Sequence, residues 1–167
     1  MSILFKKCSI NCLSYLNCTS KNDTIQESFD FSNIKPFIPP IDGGFVIKVY
    51  DGDTITIITK LPYENSELYR FSVRLSGIDT PEMKSQCIEE KKMAKEAQES
   101  LSNLILHKQI TLKNVKTEKY GRILADVYLG ETNINKWMLE QHLAVEYNGG
   151  TKKLPKSWIK YRSTGEM

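Results

Sequence analysis

Between residues 45 and 147 the apolar positions keep two different rhythms, and the switch between them lays out the elements. Phe45 to Tyr50 is a mostly apolar run that stops at the turn residues Asp51-Gly52. Thr54-Ile55-Thr56-Ile57 alternates, Ile58-Thr59 follows, and Tyr69 to Leu75 alternates again with Phe71, Val73 and Leu75 on one side. A period of two rich in β-branched residues predicts strands, and it places Arg74 on the face opposite that apolar stripe. The polar stretch Pro62 to Ser66 reads as the loop between them. After Pro81 the period lengthens. Ala94, Ala97, Leu101 and Leu104 recur at helical spacing in a Lys/Glu-rich segment, which predicts a helix over 88–106. Two more strands are expected at 109–117 and 122–129, joined by a turn through Lys119-Tyr120-Gly121. Asn133 suits the cap of a second helix that buries Ile134, Trp137 and Met138. Past Gly149-Gly150 the apolar anchors Leu154, Trp158, Ile159 and Tyr161 are enough for one short packed segment. The order of three strands, helix, two strands, helix predicts an α+β, mainly β fold. It fits an OB-fold five-stranded barrel with its helix between the third and fourth strands, and two or three helices in all.

Residues 1–43 lack either rhythm. They are polar and Ser/Asn-rich and include Pro36-Phe37-Ile38-Pro39-Pro40, so they are expected to form a disordered leader and an extended linker. The expected organisation is therefore 1–43 leader and linker, 44–150 barrel domain and 151–167 tail. The net charge of +3 changes the picture only once it is located. Lys152, Lys153, Lys156, Lys160 and Arg162 face Glu166 alone in the tail, a local excess that attracts polyanions over about 8–10 Å. No apolar run approaches the roughly 20 residues that span a bilayer. Cys8, Cys12 and Cys18 crowd the N-terminus and Cys87 stands alone, which is neither a disulfide framework nor a zinc spacing. Reduced thiols in a cytoplasmic monomer are expected. The sharper alternative is membrane association through lipids on the N-terminal cysteines beside Ile3-Leu4-Phe5-Lys6-Lys7. No signal-peptide pattern is present in this stretch.

Three polar segments sit at the predicted strand boundaries: Asp51-Gly52-Asp53-Thr54, Arg74-Leu75-Ser76-Gly77-Ile78-Asp79-Thr80-Pro81-Glu82, and Lys119-Tyr120-Gly121-Arg122. In a rolled sheet Asp53 and Asp79 can converge, and two carboxylates brought together need a cation between them. Ca²⁺ and Mg²⁺ are hard and take oxygen ligands, and Thr80 can add a backbone carbonyl or an outer hydroxyl. Glu82 is placed to accept a proton from an attacking water. Arg74 and Arg122 are candidates for phosphate, since a guanidinium binds two phosphate oxygens at once and stays charged. The set suits cleavage of a phosphodiester beside a bound cation. His107 and His142 stand alone and read as surface or cap residues. Each segment also has a purely local explanation: Asp-Gly-Asp is a turn signal, Asp-Thr-Pro-Glu a helix-start signal, and both arginines can be strand-surface residues paired with the acids. It is the ordered set that argues for a site.

With these motifs the chain resembles the staphylococcal (thermonuclease-type) nuclease family from about Val46 to Tyr147. An Asp-Gly-Asp-Thr segment, an Arg-x4-Asp-Thr-Pro-Glu segment and a Tyr-Gly-Arg segment build the active site of that family's OB-type barrel, and all three are intact. The resemblance implies that Asp53 and Asp79 bind Ca²⁺ through their side chains and Thr80 through its carbonyl. It implies that Arg74 and Arg122 contact the scissile phosphate, that Glu82 acts on the attacking water, and that DNA and/or RNA is cut with little sequence preference to leave 3′-phosphates. Leu143-Ala144 also matches the family, whereas only Tyr147 follows it where the family carries tyrosines that flank the nucleotide, and it is offset by one residue. The alternative function is a non-catalytic OB-fold module that binds nucleic acid through a basic groove and stacked aromatics.

Overall fold

Ile55 and Ile57 are fully buried while their neighbours Thr56 and Ile58 are partly exposed, so the period of two read from the sequence is the period of a barrel wall. The computed structural model describes Ser32 and residues 34–167 apart from Lys119. Of the expected leader, residues 1–31, with Cys8, Cys12 and Cys18 and the expected membrane attachment, lie outside the described residues.

Strands β1 (Gly43–Asp51), β2 (Thr54–Lys60) and β3 (Leu68–Leu75) form an antiparallel meander. After β3 comes the two-residue strand β4 (Ile78–Asp79), then helix α1 (Ile88–Ile105). Strands β5 (Gln109–Thr117) and β6 (Ile123–Leu129) form a hairpin, and β5 also pairs with β1. The barrel closes where β6 runs parallel to β3, with Val73 opposite Ile123 and Arg74 opposite Leu124. The result is the expected five-stranded barrel with α1 between its third and fourth long strands.

Helix α2 (Ile134–Glu140) is capped by Asn133, whose side chain accepts from the Lys136 backbone N–H at 3.0 Å. Ile134 and Met138 are buried as expected, Trp137 only partly. Asn135, which the apolar pattern leaves aside, is also buried. It accepts from Val127 N–H at 2.9 Å and donates to the Ser76 carbonyl at 2.7 Å, tying α2 to β6 and to the chain that leads into β4. His107 and His142 follow α1 and α2 with φ of 58° and 52°, the left-handed position where a helix ends. Their cap reading holds.

The short strands were not foreseen: β4, β7 (Thr132–Asn133) and β8 (Val145–Glu146) are each two residues long, too short to show alternation. The tail folds into α3 (Trp158–Thr164). Trp158 and Tyr161, three residues apart, are buried with Met93 of α1 and Val145 of β8. Of the four expected anchors, Leu154 and Ile159 are exposed, Ile159 because it lies about 100° around the helix from Trp158. Tyr161 donates to the Ala144 carbonyl at 3.0 Å, and Arg162 binds Glu96 of α1 at 2.8 Å.

Candidate functional site

The turn between β1 and β2 is built to hold acids close to the core. β1 slips register between Val49 and Asp51, a bulge that re-aims the end of the strand. Gly52 lies against α1 and the segment after β4: a Cβ on it would stand 2.9 Å from both Ala97 Cβ and Thr80 Cγ2. This close approach explains glycine here and fixes Thr80 beside the turn. Asp53 is only 4% exposed, so the turn-only explanation, which would leave its carboxylate in water, does not describe it.

Asp79 is held in β4, which pairs antiparallel with β8, Asp79 opposite Val145. Asp79-Thr80-Pro81-Glu82 starts no helix; α1 begins six residues later, at Ile88. Arg74, near the end of β3, joins the two acids. Its Nη1 donates to Asp53 Oδ2, and its Nη2 donates to Asp79 Oδ1 at 3.0 Å and to the Ile78 carbonyl at 3.3 Å. The side chains of all three residues are largely buried. Burial disfavours the Asp53 anion more than Arg74 favours it, and the neighbouring Asp51 adds to the effect, so the carboxyl is pushed up from 3.8 to about 7. Thr54 donates to Asp53 Oδ1 at 2.9 Å.

The β5–β6 hairpin brings in the other arginine. Its turn is closed by hydrogen bonds from Glu118 N to Arg122 O at 2.8 Å and from Gly121 N to Glu118 O at 2.9 Å, with Gly121 at φ 77°. That closure sets Arg122 against Glu118, with Nε and Nη2 donating to the carboxylate at 2.7 and 3.0 Å, while Nη1 lies 3.4 Å from Thr54 Oγ1.

Asp53, Arg74, Asp79, Thr80, Glu82 and Arg122 all line one cleft of about 470 Å³, so every residue singled out from the sequence arrives at the same place. Three further charged side chains lie there, beside Pro81, Tyr120 and Tyr147. Asp51 belongs to the first motif but had no assigned role; its Oδ1 is buried without a hydrogen-bond partner. Glu118 and Lys152 are new. Glu118 sits outside the motifs, and its only signal was its place four residues before Arg122. Lys152 reaches the cleft from the far end of the chain, with Nζ 2.9 Å from both Asp79 Oδ2 and Glu82 Oε1. A second pocket of about 620 Å³ adjoins the cleft, and Arg74, Glu118 and Tyr147 line both.

The donor set fits a hard cation. Among the described residues no three acid, His or Cys side chains form a ready metal cage, and no soft ligand lines the cleft. Five carboxylates there face Arg74, Arg122 and Lys152, leaving a formal −2, the charge one divalent ion neutralises. Asp51 Oδ1 and Asp79 Oδ2 are buried there without a hydrogen-bond partner, as oxygens that a cation would satisfy. Two carboxylates and a backbone carbonyl would leave the rest of a Ca²⁺ shell to water.

Known proteins are similar to this chain in sequence. An uncharacterized endonuclease of Haemophilus influenzae is 38% identical over 102 residues, 61% of this chain and 51% of that protein. A probable endonuclease of Schizosaccharomyces pombe is 31% identical over 128 residues, 64% of this chain and 56% of that one. The thermonuclease of Staphylococcus hyicus is 33% identical over 101 residues, 59% and 56% of the two chains. The chain thus spans about half the length of the curated relatives it matches. The family model described as Staphylococcal nuclease homologue matches residues 72–163, a span that begins beyond Asp53 and takes in Arg74, Asp79 to Glu82, Arg122 and Lys152. More than half of the residues lie in that match, and the chain belongs to the staphylococcal nuclease homologue family.

Proposed function

We propose that the chain is a Ca²⁺-dependent endonuclease that hydrolyses phosphodiester bonds of DNA and/or RNA with little sequence preference and leaves 3′-phosphates. The observation that carries this reading is the convergence of two arginines and the acids of three separate segments on one cleft. Asp53 and Asp79 hold the cation through their carboxylates and Thr80 through its carbonyl. When bound, the cation supplies Lewis-acid stabilisation of phosphate charge and a more acidic water.

The protein's own groups do the rest. Arg74 and Arg122 take the phosphate oxygens on which charge builds, Arg122 with the Nη1 it does not use on Glu118. Glu82, whose side chain is 62% exposed at the cleft, takes the proton of the attacking water. With 3′-phosphate products, the bond broken joins phosphorus to the 5′ oxygen. The adjoining pocket, with Tyr147 in the shared wall, accommodates the nucleotide next to that bond.

Plasmid DNA and single-stranded RNA, each incubated with Ca²⁺ or with EDTA, test the reading. Cleavage with Ca²⁺ and none with EDTA is expected. Full cleavage in EDTA removes the cation from the mechanism. Retarded but uncut nucleic acid at saturating Ca²⁺ favours the non-catalytic OB-fold module instead.

A further inference from the structure

Both oxygens of Asp79 face positive charge: Oδ1 accepts a hydrogen bond from Arg74 at 3.0 Å, while buried Oδ2 lies 2.9 Å from Lys152 Nζ in an ion pair that makes no hydrogen bond. A cation ligated by Asp79 would meet the positive charge of one of these partners at close range, and the repulsion favours moving one of them away. Arg74 is the poor candidate. Its side chain is 14% exposed and it is also bound to Asp53 and to the Ile78 carbonyl, so releasing it would strand buried charges. Lys152 is the good one. Its side chain is 38% exposed, its other partner Glu82 is more exposed still, and it follows Gly149-Gly150, where Gly149 has a φ of 86°. Its four-carbon stem can swing the ammonium into water at little cost, near the Tyr147 ring that it already overlies at 6.0 Å.

We propose that Lys152 is a built-in counter-ion of the catalytic centre: its ammonium bridges Asp79 and Glu82 and is exchanged for the divalent cation when the cation binds. The idea rests on the cation site proposed above and adds a residue to it. Exchange has two effects. Lys152 neutralises Asp79 before the cation arrives, so cation affinity is set by competition as well as by ligands. Exchange also frees Glu82 from an ion pair as the cation takes its place, so the proton acceptor is released when it is needed.

Calorimetric titration of the full chain with CaCl₂ tests the exchange. Lys152→Met removes the competitor and is expected to bind Ca²⁺ about 5–10-fold more tightly, near the scale of one or two partly exposed ion pairs. Lys152→Arg keeps the charge and is expected to bind no tighter than the parent. Lys153→Met removes the same charge one residue along, from a side chain with no carboxylate partner among the described residues, and is expected to shift affinity less than about twofold. Equal or weaker binding by Lys152→Met overturns the exchange while leaving the cation site intact. No heat of binding in any of the four proteins sinks the cation site, and the exchange with it. A second readout uses the unmutated chain and needs no variant to fold. Acetic anhydride labelling, mapped by mass spectrometry, is expected to modify Lys152 faster once Ca²⁺ is added. Unchanged labelling at saturating Ca²⁺ also overturns the proposal.

Discussion

Arg74 is closed in by two buried acids, whereas Arg122 is about a third exposed and pairs with Glu118 across a hairpin turn. Both are assigned to the phosphate, so Arg74→Lys and Arg122→Lys should each lower turnover by the equivalent of about 2.7–4 kcal/mol, because lysine keeps the charge but loses the planar two-point contact. Neutral replacement separates their environments. Arg74→Met leaves Asp53 and Asp79 buried and unpaired and should cost about 3–5 kcal/mol of stability, while Arg122→Met should cost under about 1. Thermal unfolding and initial rates on the same samples decide both points. Glu82→Gln should cut turnover by about 10²–10⁴-fold with an unchanged melting temperature; near-normal turnover would remove Glu82 from the mechanism. Asp53 gives a pH dependence. A carboxyl raised from 3.8 to about 7 favours folding while protonated, so its contribution is complete below 3.8 and is lost as pH climbs through 7. A cation binds only the deprotonated form, so Ca²⁺ should raise the melting temperature more at about pH 8 than at about pH 6. An equal rise at both would detach Asp53 from the cation. The candidate site residues that line the cleft were legible because each sits in a motif near a strand end, which Glu118 does not. Lys152 was not, because its place depends on a pairing of Asp79 with Val145 that has no local signature.

Elements with a sustained period were the ones read well. The helix expected over 88–106 is Ile88–Ile105, and the strands expected at 109–117 and 122–129 are Gln109–Thr117 and Ile123–Leu129. Two-residue strands escaped, and so did the bulge that ends β1, since tertiary pairing alone creates them. The joint that matters most for the site is where α1 meets the acidic turn. Gln98 Nε2 donates to the Val49 and Tyr50 carbonyls at 3.2 and 2.7 Å, and Gly52 lies against Ala97 and Thr80. Gly52→Ala should therefore push the turn away from Thr80 and α1. Overpacking of this kind costs about 1–3 kcal/mol. The same displacement should weaken Ca²⁺ binding, since it moves Asp53 relative to Asp79. If Gly52→Ala binds Ca²⁺ and cuts nucleic acid like the parent, the joint does not set the site.

At the scale of the whole molecule, the sequence divided residues 1–43 from the barrel because the apolar rhythm begins only there. The structure carries the wall slightly further back: β1 starts at Gly43, Ile41 is buried in the core, and the Asp42 carbonyl accepts from Leu112 N–H at 2.7 Å. A chain beginning at Pro36 should fold and cut nucleic acid at the parental rate. One beginning at Asp42 should melt lower, because it lacks the Ile41 side chain, whose burial is worth about 1.5–3 kcal/mol. Equal melting temperatures would show that Ile41 adds nothing to the core. Barrel closure has a consequence of another kind. Arg74 and Leu124 are partners across the seam, and β4 needs β8 beside it before Asp79 has a fixed position. Neither half of the cleft is assembled without the other, and bringing such distant segments together costs loop-closure entropy. The first 140 residues hold every proposed ligand and both arginines, but not the strand that pairs with Asp79. On the function proposed above, activity would wait for the last short strand rather than for the last catalytic side chain.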